Sequence, residues 1–299
     1  MRGVALWAKA SRAQFLTATL VPVLVGTAKA FEEVGRVNLA LLWLALLSMA
    51  LIHLGVNLAN DYFDHLSGAD DLNPAPLSPL AGGSRVIQEG LLSAVSVLRG
   101  ALLLLGLGVS LGLLLSALTG ILLLLIGAFG VLTGYFYTAP PLKLGYRGLG
   151  ELCVALDFGV LPTLGAFYVQ TGRLSLGALL ASLPVSFLVA SILWANEIPD
   201  IPYDKRAGKL TLVARLGPKR AAIGLGILFG LGALSTGALA VFEGRVILLL
   251  PLLATPLVLG AAAKALKGLE RPESMEPACK LTILSHLVWG VLLATALFL

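Results

Sequence analysis

The chain has 299 residues, of which 58% are hydrophobic and only 12% charged, with a mean hydropathy of +0.95. A soluble domain carries about a quarter of its residues as charges, so a water-soluble globular protein is excluded and a polytopic membrane protein is expected. The net charge of +5 comes from 21 basic residues spread along the chain, a pattern of membrane topology rather than of a nucleic-acid surface.

The opening "MRGVALWAKASRAQF" is short and basic and has no small-residue cleavage site before its apolar run, so it reads as a lead-in rather than a removable signal. Segments of about 20 mainly apolar residues can cross a bilayer as helices. Nine qualify, near 13–31, 38–58, 97–117, 119–138, 149–171, 175–195, 219–241, 246–266 and 280–299. The expected fold is therefore an all-α bundle of nine transmembrane helices, with residues 1–299 forming a single domain. Lys29, Arg36, Arg173 and Arg245 fall on one side of this arrangement and the other 17 of the 21 basic residues on the opposite side. The positive-inside rule then places the N-terminus and the long basic loops in the cytoplasm.

Two acidic stretches stand out. "NLANDYFDHLSGAD" (57–70) follows the second span, and "NEIPDIPYD" (196–204) follows the sixth. Each begins with Asn and has Asp four residues later, on the same side of the membrane, as a parallel four-span repeat requires. On a helix Asn57, Asp61 and Asp64 share a face, and so do Asn196, Asp200 and Asp204 if that segment continues as helix. Four carboxylates converging on one cavity repel unless cations neutralise them. Mg²⁺ suits this set, because it accepts a few carboxylate oxygens and completes its octahedron with water and phosphate oxygens. Simple helix capping is the plainer reading of any one of these Asp residues.

Together with "YFYTAPPLKLGYRGLGE" (135–151) and "NEIPDIPYDKRAGKLTLVARLG" (196–217), these stretches resemble the signature segments of the UbiA superfamily of intramembrane prenyltransferases. The resemblance implies Mg²⁺ held by Asp61, Asp64, Asp200 and Asp204, with Asn57 and Asn196 as further ligands, and a polyprenyl diphosphate whose allylic C–O bond breaks to alkylate an acceptor. It also implies a substrate-binding role for Asn60, Asp70, Arg85 and Arg147, and an active-site Arg at Arg12, where topology is the alternative. Lys143 and Lys209 are expected to neutralise the leaving diphosphate, with Arg215 a weaker candidate beside snorkelling. Tyr135 and Tyr137 read either as interfacial anchors or as part of a lid.

One position departs from the superfamily pattern: an Asp is expected at 65, where the chain has His65, and Asp64 stands beside it. This form, with "GGSRVIQEGLLS" from Gly82, resembles the branch that prenylates 1,4-dihydroxy-2-naphthoate for menaquinone with loss of CO₂. The expected partners are thus a polyprenyl diphosphate, a small aromatic acceptor and the lipid bilayer. Alternative acceptors are 4-hydroxybenzoate, another lipid-quinone precursor or a glycerol phosphate. From another class, a cation-coupled transporter would also repeat acidic motifs, but its sites lie near the midplane rather than at span ends. His53 and His286 read as bundle residues. Asp157, inside the fifth span, costs at least about 2.5 kcal/mol unless it meets a partner or a cavity, and both a structural role and a place in the acceptor pocket are open to it.

Overall fold

The computed structural model describes residues 3–73, 80–270 and 272–299, and among them the regular structure is entirely helical. A short helix α1 (Gly3–Ala10) precedes α2 (Thr17–Val34), α3 (Leu39–Ser67), α4 (Ala94–Thr119), α5 (Ile121–Tyr135), α6 (Gly150–Ala155), α7 (Leu161–Thr171) and α8 (Leu176–Glu197). Then come two short helices, α9 (Ile201–Arg206) and α10 (Leu212–Leu216), followed by α11 (Pro218–Glu243), α12 (Thr255–Lys267) and α13 (Glu276–Phe298). Among the described residues eight helical segments are long and apolar enough to span a bilayer. The expected count of nine is not reached, because α5 has fifteen residues. At 1.5 Å per residue it is about 22 Å long, short of a hydrocarbon core of about 30 Å. The protein is an integral membrane protein of the helical-bundle class.

Two departures from the expected spans shape the acidic end. The second span runs on to Ser67 as one unbroken helix, so Asn57, Asp61 and Asp64 lie on continuous helix and share a face. The sixth ends at Glu197, and Asp200 lies in the turn before α9 opens with Ile201 and Pro202. The single-helix expectation for 196–204 therefore fails. Pro199 and Pro202 cannot continue the backbone hydrogen bonding of α8.

The fifth span is compound: α6 passes into α7 through a π-helical turn, Leu156–Val160. Within the bundle α3 packs on α4, and α8 on α11. Glycines permit two of the closest approaches, since a Cβ at Gly55 would meet the α4 backbone at 2.9 Å and one at Gly159 would meet Ser186 of α8 at 2.2 Å. Small residues at such contacts let membrane helices approach without a hydrophobic driving force.

The end of the bundle away from the acidic motifs is fastened by ion pairs. Lys29, only 2% exposed, donates to Glu32 and Glu243 at 2.6 Å each. Arg245 pairs with Glu32, and Arg173 with Glu33 at 2.9 Å. Three of the four basic residues assigned to that side by charge counting are thus matched by Glu32, Glu33 and Glu243.

Candidate active site

At the acidic end, helix α3 and the α8–α9 turn face each other across a cavity of about 190 Å³. Its walls include Arg12, Asn57, Asn60, Asp64, Asp70, Tyr137, Asn196, Asp200, Asp204 and Lys209. Lys209 ties the two motifs together. Its backbone N–H donates to the Asp204 carbonyl at 2.8 Å, and its ammonium reaches Asp64 at 3.4 Å. Burial works against the Lys209 charge, but Asp64 and Asp204 outweigh it and hold the group protonated well above the ordinary lysine value.

Residues 70–73 and 80–85 add further elements to this wall. Asn73 and the Gly82 N–H donate to the two carboxylate oxygens of Asp200 at 3.1 and 2.9 Å, and the Ser84 N–H donates to Asp61 at 3.3 Å. Gly83 has φ +79°, and a Cβ there would come within 2.8 Å of Asp70. Glycine is therefore needed both for the left-handed backbone and for the space.

Some oxygens in this wall have no protein partner. Asp70 Oδ2 and Asn196 Oδ1 are both buried and without a hydrogen bond, a costly state for polar atoms, while the buried Glu197 carboxyl meets that of Glu151. Burial first, then Asp64 and Asp61, push the Asp70 carboxyl up to about 8. Burial and Asp204 push Asp200 to about 7. Burial and Asp64 raise Asp204 to about 6 against the opposing effect of Lys209. Among the described residues no three metal-binding side chains enclose an ion on their own. Mg²⁺ takes one or two carboxylates and completes its shell with water and phosphate. The donor set is all oxygen, which fits Mg²⁺.

Not every expected residue reaches the cavity. Asp61 lies behind it, 3% exposed, in an ion pair with Arg12. Arg12 takes a left-handed backbone (φ 50°) and lines the cavity. Asn57 donates to the Ser11 carbonyl at 2.9 Å, and Asn60 accepts from Thr138 at 3.0 Å.

Arg85 donates to the carbonyls of Asp70 and Asn73 and so braces the loop. Arg147 is exposed and donates to the Pro141 carbonyl at 3.1 Å, while Arg215 holds the Leu210 and Arg147 carbonyls. Tyr135 packs edge-on against Phe63 and Phe136. Lys143 stands 5.1 Å from the centre of the Tyr146 ring, outside the cavity wall.

Tyr146 itself escaped the sequence reading. Its hydroxyl donates to Asp64 at 2.8 Å and lies 2.6 Å from Ser67, and Lys209 lies over its ring at 5.5 Å. Glu197 was also missed, although its place next to Asn196 offered the signal.

A second cavity of about 400 Å³ lies between α3, α4, α5 and α7. Its walls are almost wholly apolar, from Val23, Met49 and Leu115 to Leu123, Ile126 and Ala166. Leu113 and Leu132 in its wall are 50% and 56% exposed, so it borders the apolar outer surface of α4 and α5. The two chambers share His53, Val56, Gly134, Asp157 and Phe158. A polar, cation-bearing pocket thus adjoins an apolar one at these five residues, the throat between them.

This is a membrane-embedded helical bundle with an anion- and metal-suited site at the ends of its helices and a chamber for a hydrocarbon chain behind it. The profile of the UbiA prenyltransferase family matches residues 19–296, and the chain belongs to that family. It is a prenyltransferase. It is 34% identical to the 1,4-dihydroxy-2-naphthoate octaprenyltransferase of Mycobacterium tuberculosis, over 99% of this chain and 98% of the relative. The Bacillus subtilis enzyme of the same name is 32% identical over 99% of this chain and 93% of its own length. The fold matches that of a UbiA homolog from Archaeoglobus fulgidus bound to GPP and Mg²⁺, with a TM-score of 0.64 at 18% identity, covering 96% of this chain and 99% of that one.

Proposed function

We propose that this protein transfers a polyprenyl group from polyprenyl diphosphate to 1,4-dihydroxy-2-naphthoate in menaquinone biosynthesis, releasing diphosphate and CO₂. The observation that carries the reading is the two-chamber cavity: unpartnered buried oxygens and Lys209 on one side, an apolar chamber bordering the outer surface of α4 and α5 on the other, and one throat between them. An amphiphile with a diphosphate head and a long apolar tail fits that shape. The relatives' acceptor, named above for the M. tuberculosis and B. subtilis enzymes, supplies the aromatic partner.

Mg²⁺ would be held by Asp64, Asp200 and Asp204 with Asp70, Asn196 and Glu197 nearby, and when bound it would neutralise charge developing on the diphosphate oxygens. The chain's own residues do the rest. Lys209, kept charged by Asp64 and Asp204, lies where the leaving diphosphate gains negative charge. Arg12, held by Asp61, presents a second cation to the same cavity. In a site where water is scarce, such fixed charges act far more strongly than in solution. The apolar walls at the throat keep water from the allylic carbon as its bond to oxygen breaks.

The site opens to the cytoplasm and the N-terminus lies on that side, because the loops that carry the cavity also carry most of the basic residues. Transport of a cation is the lesser reading, since the acidic residues stand at helix ends and not on broken helices at the midplane. The test is to offer the purified protein Mg²⁺, a labelled polyprenyl diphosphate and a panel of aromatic acceptors, and to identify products by mass. Prenylated naphthoquinol accompanied by CO₂ is the expected result, and exclusive use of another acceptor overturns the assignment.

A further inference from the structure

Asp157 takes no part in the chemistry described so far, yet it occupies the throat. If the diphosphate lies in the polar chamber and the chain in the apolar one, the allylic carbon that joins them lies at the five residues common to both: His53, Val56, Gly134, Asp157 and Phe158. The acceptor carbon has to reach the same point. Its hydroxyl groups arrive with it, in a place where Val56, Gly134 and Phe158 offer no side-chain hydrogen-bonding atom.

Two of the five shared residues have polar side chains, and they are differently placed. Nδ1 of His53 is bonded to Thr19 at 2.6 Å, and the His53 ring packs edge-on against Phe158. Asp157 accepts a hydrogen bond from Thr133 of α5 at 2.8 Å through one oxygen, Oδ1. Asp157 lines both chambers, and among the described residues its other oxygen has no hydrogen-bond partner. Asp157 also lies in the π-helical turn Leu156–Val160. Such turns insert a residue into a helix and re-aim side chains, and they occur frequently at functional sites. A carboxylate in a membrane span is costly and calls for a reason, and a single threonine hydroxyl satisfies only one of its two oxygens.

We infer that Asp157 is a catalytic residue that binds a hydroxyl of the aromatic acceptor at the throat and takes its proton as the new C–C bond forms. This rests on the aromatic-acceptor reading above. The hydroxyl O–H bond breaks, the proton passes to the free oxygen of Asp157, and the oxygen's electrons flow into the ring. The ring carbon bonds to the allylic carbon while the allylic C–O bond breaks, its electron pair leaving with diphosphate. The bond from the ring to the carboxylate carbon then breaks, CO₂ departs, and the ring regains its aromatic electrons. The resulting ring oxygen recovers the proton from Asp157, so no other reagent is required.

The experiment uses the full chain in detergent with polyprenyl diphosphate, Mg²⁺ and a series of ring-substituted hydroxynaphthoates of increasing hydroxyl acidity. General-base assistance typically contributes about 10²–10⁴-fold. Asp157→Asn should lose activity on that scale with the least acidic acceptor, and the deficit should shrink as acidity rises, because a hydroxyl that ionises by itself needs no base. The KM for the prenyl diphosphate should stay near the wild-type value. Thr133→Val leaves the carboxylate in place but unpinned, and should show a smaller deficit with the same dependence on acidity. A deficit uniform across the series in both variants, or an undiminished Asp157→Asn, overturns the inference while wild-type turnover stands. Failure of the wild type with every hydroxylated acceptor overturns the functional reading itself.

Discussion

At one end of the bundle Lys29 lies between Glu32 and Glu243, with Arg245 and Arg173 closing the set. At the other, Lys209 reaches Asp64 while Asp70 and Asn196 each leave a buried oxygen without a partner. The residue types are alike, but the first group is matched within itself and the second is not. A buried charge set that closes on itself fastens helices. One that leaves oxygens and a cation open to a cavity is arranged for something that arrives from outside.

The comparison is broken most directly at the open end. Asp64→Ala, Asp200→Ala or Asp204→Ala should each cut turnover by about 10²–10³-fold, the scale of losing one strong electrostatic group from a water-poor site, while the protein still elutes and melts as a folded species. Chelation of divalent ions should do the same to the wild type, with recovery on adding Mg²⁺. Near-normal rates in the Asp200 variant would remove the metal from the mechanism.

The closed end should answer in the opposite way. Lys29→Met leaves the half-buried Glu243 without its cation while Glu32 keeps Arg245, and removing one partner of a buried pair typically costs at most about 3–5 kcal/mol. A lower thermal midpoint with KM values unchanged for both substrates is expected. A change in KM with stability intact would show that the two ends are not separate devices.

A smaller effect separates the two loop lysines. Lys209→Ala should raise the KM for prenyl diphosphate about tenfold or more, whereas Lys143→Ala, whose ammonium meets the outer side of Tyr146, should change it about twofold at most. Steady-state kinetics with each substrate varied in turn decides this. The smallest effect concerns pH. The folded-state values of Asp70, Asp200 and Asp204, about 8, 7 and 6, all lie above the ordinary 3.8. Each therefore adds stability that is full below about pH 4 and is lost as pH climbs through its folded value. The melting temperature of metal-free protein should fall from about pH 5 to about pH 8, and Asp70→Asn should flatten the upper part of that slope.

Much of this was legible in the residues. Apolar runs give the bundle, and helical spacing puts Asn57 and Asp64 on the face of α3 that lines the cavity, whereas Asp200 and Asp204 reach the same cavity through the turn after α8, where helical spacing does not apply. Where the signal ran through loops it weakened. Lys143 and Arg147 sit two and six residues past Pro141, and nothing in that spacing says that Tyr146, between them, turns inward to Asp64. The Lys29–Glu243 and Arg245–Glu32 pairs link residues more than two hundred positions apart, a separation no local pattern can reveal. The apolar chamber is equally hidden, since its leucines look like any lipid-facing leucines until helices α3, α4, α5 and α7 are placed side by side.

The place of that chamber at the outer surface beside the short helix α5 bears on how the enzyme meets its substrate. On the function proposed above, a polyprenyl diphosphate and its prenylated product, both lipids, would exchange sideways through that side of the bundle rather than through bulk water. The reaction rate then follows the mole fraction of prenyl lipid in the membrane plane, and adding inert phospholipid slows the enzyme even when the amount of substrate per litre is unchanged.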